Sequence, residues 1–298
     1  AFFRAYHAIR GGMTSPVTGE PTHLVYGFTG TLLNMIRTHQ PTKLVVVIDA
    51  AGDTETFRTK LYADYKANRD EAPEDFGPQV ERCLELLRLM HIPVFGLEGV
   101  EADDTIASII TQCAAKHSDL AIRIASRDKD LTQLCSPRVD MFDAMKDALV
   151  TPSDVFKTEG VEPHMVGDIL ALMGDTADNI PGVPGIGPKT AAKLIIEHGD
   201  LEGLYEALPG LKGKKMQAIG EHRETTALAR QLVELKRDLD TGFDLDDADF
   251  DGGQIDLEGL DGLCRQLGFN TYPRSFRELA GAEASAPEAP ATEAVPCL

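Results

Sequence analysis

Eight carboxylates fall in four short stretches, each directly after an apolar run. Asp49 follows LVVVI, and Glu101, Asp103 and Asp104 form EADD after IPVFGLEGV. Asp128 and Asp130 form RDKD after LAIRIAS, and Asp175 and Asp178 form GDTAD after LALMG. Hard oxygen ligands without His or Cys suit Mg²⁺ or Mn²⁺. Carboxylates packed together either raise their own pKa values or bind cations. Two such ions roughly 4 Å apart can activate a water and stabilise the leaving oxygen in phosphodiester displacement. Each acid alone has a blander reading as a helix cap or turn residue, and Asp103 and Asp104 would favour the positive end of a helix. Agreement among four motifs favours metal.

Two further segments carry chemistry. IPGVPGIGPKTAAKLI (180–195) places Gly182, Gly185 and Gly187 in a tight turn before a helix, with Pro188 suited to the first helical turn and Lys189 as a cation. Glycine lets a phosphate approach the backbone, and turn amides with a helix N-terminus form an anion site. A helix–turn–helix connection without ligand is the alternative. A dinucleotide reading fails because no strand precedes the glycines. FRTKLYADYKANR (57–69) interleaves Phe57, Tyr62 and Tyr65 with Arg58, Lys60, Lys66 and Arg69. Aromatic faces stack on unpaired bases while cations meet phosphates. As a helix, it would put Tyr62, Lys66 and Arg69 on one face. An ordinary solvated amphipathic helix is an equal reading.

The elements that must position these residues follow from periodicity. Residues 24–38, 78–91 and 103–115 show apolar positions at helical spacing, and 44–48, 92–95 and 120–125 read as strands. The β-branched run 44–48 has the pattern of a strand buried on both faces of a parallel sheet. Alternation of strand and helix implies an α/β fold, in which ligands bind outside the carboxyl ends of the strands. Three loops thereby deliver acids to one sheet edge. From Pro163 the strand signal fades and helices joined by Gly- and Pro-bearing turns take over. The stretch 280–298 is Ala, Pro and Glu with little to bury and reads as a flexible linker or tail.

Charge and composition bound the partners. The net charge of −19 over 298 residues counts against a phosphate-gripping protein. Ten acids and no Lys or Arg between Asp238 and Asp261 account for part of it as one solvated surface, and bases cluster again at Lys212, Lys214 and Lys215. Cys83, Cys113, Cys135, Cys264 and Cys297 form no CxxC pair, which argues against a zinc site or a disulfide framework and for a reducing, cytoplasmic home. No apolar run approaches the roughly 18 residues of a spanning helix, so no membrane is expected. No secretory leader is visible, and a start at Ala1 reads as processed, cut or incomplete.

With these residues collected, the chain resembles the 5′→3′ exonuclease domain of bacterial DNA polymerase I, in the flap endonuclease superfamily. The likeness runs from FFRAYHAI to about residue 279 and includes VVVIDA, FRTKLYADYKANR, GVEADD, RDKDLTQL, RQLGF and the specific block LALMGDTADNIPGVPGIGPKTAAKL. It implies an α/β parallel-sheet nuclease core over 1–158 with a helical arch near 57–77. A helical region would follow over 159–279, with a helix–hairpin–helix at about 180–198. It implies two metal sites holding Mg²⁺ or Mn²⁺, with Asp49, Glu101, Asp103 and Asp104 on one side and Asp128, Asp130, Asp175 and Asp178 on the other. Lys66 and Arg69, with Arg4 nearby, are implied to position the scissile phosphate. Tyr65 and the hairpin (Gly182, Gly185, Gly187, Lys189, Thr190) are implied to meet DNA, the hairpin sometimes with a monovalent cation. The implied partners are DNA with 5′ ends or flaps and a covalently linked polymerase module.

Two departures stand out. The family's first-strand Asp, a metal ligand, would lie four positions before Ala1, so the first strand reads as truncated, as in a shortened gene or fragment. A non-catalytic branched-DNA-binding module is the rival reading on that ground, and an RNA-cutting relative a weaker one. Arg127 stands where relatives carry a small residue, and either pairs with Asp128 or points outward.

Overall fold

The computed structural model describes residues 2–9, 12–50, 56–69 and 71–282, so most of the expected tail lies outside the described residues. The chain divides into two compact units. One is assembled from Ala1–Leu44, Pro73–Pro93 and Ala248–Leu298. With elements numbered in chain order, it holds helices α1 (Phe2–Ala8), α2 (His23–His39), α4 (Phe76–Leu89), α12 (Leu257–Leu267) and α13 (Tyr272–Leu279). Leu24, Phe28, Leu32 and Ile36 recur along α2 at helical spacing and are buried, as are Cys83, Leu86 and Leu87 of α4 and Leu260, Leu263 and Leu267 of α12. The buried Gln79 carboxamide accepts the Leu24 amide at 2.9 Å, satisfying a donor that the first turn of α2 leaves open.

The second unit, Val45–Ala72 and Val94–Asp247, carries the strands. β1 (Val46–Val47) and β2 (Val94–Phe95) pair in parallel, and β3 (Ile122–Ala125) pairs in parallel with β4 (Val139–Asp143), which turns back antiparallel to β5 (Ala148–Val150). The α/β class expected from the sequence is therefore present, but as two small sheets among the described residues. The run 44–48 contributes only two strand residues, both half-exposed, because a sheet two strands wide is too narrow for full cover on both faces. Between strands run α3 (Phe57–Leu61) and α5 (Ala102–Lys116), and after β5 come α6 (Pro152–Glu159), α7 (Val166–Met173), α8 (Pro188–His198), α9 (Leu201–Ala207), α10 (Lys214–Glu221) and α11 (Arg223–Val233).

Among the described residues of 57–69, the basic stretch of the expected arch, only Phe57–Leu61 is helical. Tyr62 closes that helix in an extended conformation, and residues 63–68 are turns, with Lys66 at φ +56°. The expectation that Tyr62, Lys66 and Arg69 share one helical face is thereby corrected.

Helix α7 is the pivot of this unit. Residues 166–172 are buried all round, as a central helix requires. Its C-terminal end meets the glycine hairpin backbone to backbone. The Val183 amide donates to the Leu172 carbonyl at 2.8 Å, and a Cβ at Gly182 would lie 2.2 Å from the Met173 carbonyl carbon and oxygen. Gly182 thus serves packing, whereas Gly185 and Gly187 would carry a Cβ in open space. Gly182→Ala is expected to lower stability by roughly 3 kcal/mol through this overlap. Gly185→Ala, at φ +79°, should cost only about 1–2 kcal/mol of backbone strain. Chemical denaturation of both variants checks the order, and a Gly182→Ala protein as stable as the parent would contradict it.

Candidate active site

All the groups that follow, Arg4 apart, belong to the second unit. Helix α5 opens with Glu101 at its N-cap and Asp103 and Asp104 in its first turn, where the helix dipole favours negative charge. Asp49, just beyond β1, accepts the Ala102 amide at 2.6 Å, which fixes it against the start of the same helix. After β3 the chain turns through Ser126, whose hydroxyl accepts the Asp128 amide at 3.1 Å, and Asp128 accepts the Asp130 amide at 3.1 Å. The loop 175–180 is closed by reciprocal bonds between Asp175 and Ile180, of 3.0 and 2.7 Å. It carries Asp175 and Asp178.

These stretches meet. Glu101, Asp103, Asp128, Asp130 and Asp178 line a cavity of about 30 Å³ together with Arg58, Tyr65, Lys66 and Arg69. Asp103 is pushed up to about 8 by burial and then by the charges of Asp128, Asp130, Asp49 and Glu101. Asp130 is pushed up to about 7 by burial and by Asp128, with Lys129 opposing and Asp175 and Asp178 adding to the rise. Asp130 Oδ1 is buried without a hydrogen-bond partner. Seven of the eight expected acids therefore form one electrostatic group.

Cations stand among them. Lys66 Nζ lies 3.1 Å from Glu101 Oε2, Arg69 Nη2 lies 2.7 Å from Asp178 Oδ1, and Lys129 Nζ lies 2.8 Å from Asp175 Oδ2. Lys129, overlooked in the sequence, is legible in hindsight as the base inside RDKD. With these amines in place, no three His, Cys, Asp or Glu side chains among the described residues are arranged to enclose an ion.

The eighth acid behaves differently. Asp104 is fully buried, bonded twice by the Arg58 guanidinium and once by the Lys236 amide at 2.8 Å. Arg58 also donates to the Leu232 and Glu234 carbonyls at 2.6 and 3.0 Å. Burial opposes the Arg58 charge, but the Asp104 bond and charge outweigh it and raise its pKa. Expected among the metal ligands, Asp104 is committed to this ion pair, and Arg58, expected among the DNA-facing bases, is buried. Tyr65 is also corrected as a stacking candidate: it is buried in the core, and its hydroxyl donates to Glu101 Oε2 at 3.2 Å. Arg127 resolves to a pair with Asp143 at 3.2 Å. Arg4 lies on α1, and its side chain is outside the described residues. At the hairpin, Gly187 caps α8, Pro188 is its first residue, Lys189 is exposed, and the Thr190 hydroxyl accepts Lys215 Nζ at 3.1 Å.

Known proteins share this arrangement of sequence. Residues 1–161 match the N-terminal resolvase-like domain of 5′-3′ exonucleases, and residues 161–256 match their C-terminal SAM fold. The chain belongs to the 5′-3′ exonuclease family. Within that family, a 5′-3′ exonuclease of Aquifex aeolicus is 37% identical over 265 residues, 89% of this chain and 88% of that one. DNA polymerase I of Rhizobium leguminosarum is 38% identical over 299 residues, 96% of this chain. The chain spans 28% of that polymerase's length. The family fold is shared with the T5 5′-exonuclease, solved with bound zinc, at a TM-score of 0.63 and 23% identity over 86% of this chain and 90% of that one. It is shared also with the catalytic core of Rad2 in complex with DNA substrate, at 0.58 and 15% over 93% and 87%. No helix among the described residues is long and apolar enough to cross a membrane.

The raised acids set a pH dependence. Asp103 and Asp130 hold protons in the folded, metal-free protein up to about pH 8 and 7, whereas unfolded carboxyls release theirs near pH 3.9. Their contribution to stability is fully present below the unfolded value and lost as pH rises through the folded ones. In EDTA, the Asp130→Asn variant should therefore gain stability over the parent as pH climbs from 5.5 to 8.5. A difference between the two proteins that stays constant across that range would contradict the assignment.

Proposed function

We propose that the chain is a structure-selective 5′→3′ exonuclease and flap endonuclease that hydrolyses DNA phosphodiesters with two divalent ions, Mg²⁺ or Mn²⁺. As in its polymerase relatives, it would form the N-terminal part of a DNA polymerase I. The observation that carries this reading is the set of acids that three separate stretches deliver to one small cavity, with Asp49 of a fourth acting on Asp103, and with burial and neighbouring charge raising Asp103 to about 8 and Asp130 to about 7. The donor set is all oxygen, and the buried Asp130 Oδ1, which has no hydrogen-bond partner, is an oxygen suited to a hard cation.

The residues that would hold the ions are Asp49, Glu101 and Asp103 on one side and Asp128, Asp130, Asp175 and Asp178 on the other. The bound metal supplies activation of water and stabilisation of the leaving oxygen. For this to happen, Lys66, Arg69 and Lys129 must exchange their carboxylate partners for phosphate oxygens. Lys66 and Arg69 are suited to that exchange, since a phosphoryl group developing negative charge is a stronger partner than a carboxylate already neutralised by metal. Lys66 rests 5.0 Å from the Tyr65 ring centroid, so the buried aromatic ring and its Glu101 bond carry the lysine toward the cavity. The role of Arg4 rests on the family likeness alone. The open backbone at Gly185 and Gly187, beside Lys189 and Thr190, is suited to duplex phosphates and, as in the family, a monovalent cation.

Asp128→Ala should abolish cleavage of a 5′-flap DNA in Mg²⁺ or Mn²⁺ while leaving binding of the same DNA in Ca²⁺ or EDTA within about threefold, because phosphate contacts dominate affinity. Undiminished cutting would defeat the reading. Binding without turnover by the parent chain would turn it toward a DNA-binding module.

A further inference from the structure

The turn bearing Lys66 and Arg69 is zipped to the acid-bearing loop 175–180 by contacts that do not depend on the acids' charge. The Lys66 amide donates to the Asp178 carbonyl at 2.9 Å. The Asn68 carboxamide donates to the Thr176 carbonyl at 2.9 Å, and the Asn179 carboxamide to the Asp64 carbonyl at 2.7 Å. Asp64 and Thr176 are more than a hundred residues apart in the chain. Both partners bend through the left-handed region at this point, with φ +56° at Lys66 and +56° at Asn179. Such conformations persist where surrounding structure over-determines them, and they cluster where groups must be held for chemistry.

We propose that Asn179 is a positioning residue for Lys66 and Arg69, acting through its side-chain bond to the Asp64 carbonyl. The proposal rests on the nuclease reading above. Asparagine meets two demands at this position. Its side chain tolerates left-handed backbone better than most, and it supplies an N–H donor where the partner is a carbonyl. Asp would tolerate the backbone but set an acceptor against an acceptor. Glycine would tolerate the backbone and supply nothing. Because the adjacent Asp178 carries both the carbonyl that receives the Lys66 amide and the carboxylate that meets Arg69, one bond at Asn179 registers both cations against one wall of the acid ring. Mobile phosphate-binding cations and fixed acids would then keep a constant spacing.

The test is a double-mutant cycle on 5′-flap DNA with Mn²⁺, joined to hydrogen exchange in the metal-free protein. Asn179→Gly, which keeps the backbone and removes the bond, should lower kcat by about 10- to 100-fold with KM little changed, the size expected of a displaced reacting group. In a Lys66→Ala/Arg69→Ala background the same change should cost less than about twofold, because a residue that acts through these two has nothing left to position. Exchange of the Lys66 amide should accelerate about tenfold in Asn179→Gly without metal or DNA, reporting the turn opening locally. A wild-type kcat in Asn179→Gly, or losses that multiply with the Lys66→Ala/Arg69→Ala pair, would overturn the proposal. Should the parent chain cut no DNA, the nuclease reading falls, and unchanged Lys66 exchange in Asn179→Gly would overturn the positioning role independently.

Discussion

Seven carboxylates drawn from four separated stretches form one electrostatic group, and where burial and neighbouring charge act together, at Asp103 and Asp130, the carboxyls keep their protons unless cations stand among them. Much of the second compact unit answers that constraint. The start of α5 offers its Ala102 amide to Asp49 and its dipole to Asp103. Lys66, Arg69 and Lys129 each lean on one acid, and Asp103 and Asp130 retain protons where ordinary carboxyls would lose them. A site held in this way is poised for exchange. Divalent ions can displace protons and amines from the oxygens, and the released amines are left facing whatever anion the ions attract.

The frame that holds the acids is itself bonded rather than merely packed. Arg58 ties the first turn of α5 to the chain leaving α11, through Asp104 on one side and the Leu232 and Glu234 carbonyls on the other. A buried guanidinium is tolerable only with partners of this kind, and removal of one of them would leave a charge uncompensated. Helix α7 plays the matching role for the other wall. Buried on every side, it ends where the loop 175–180 begins, and its Leu172 carbonyl receives the hairpin's Val183 amide. The acid loop and the glycine hairpin are consequently registered to one helix, which sets the spacing between the acid cavity and the hairpin proposed to meet duplex phosphates.

Much of this was legible in the sequence. The three helices read from apolar spacing at 24–38, 78–91 and 103–115 agree with α2, α4 and α5 to within about two residues at each end, and three of the four acid stretches do fall beyond strands, the fourth following α7. What failed did so for physical reasons. The run 44–48 announces a strand, but no local pattern states how many neighbours it will find. The segment 57–69 has the composition of a helix, yet bonds to residues 176–179 hold its second half in turns. An aromatic among bases looks the same whether it faces bases or the core, and Tyr65 faces the core. Asp103 and Asp104 differ because successive helical residues point about 100° apart, so only one of them can face the cavity. Asp143 marks the limit of the strand-end rule. It closes β4 but spends its oxygens on the Met145 and Lys146 amides and on Arg127.

The account stands or falls on whether metal and protons compete for the same crowded oxygens. Calorimetric titration of Mn²⁺ into the metal-free protein at pH 7, repeated in buffers of different ionisation enthalpy, counts the protons set free as ions bind. Binding accompanied by release of protons, diminished in Asp103→Asn and Asp130→Asn, is the predicted result. Binding that releases none, or no binding at all to this acid ring, would contradict it.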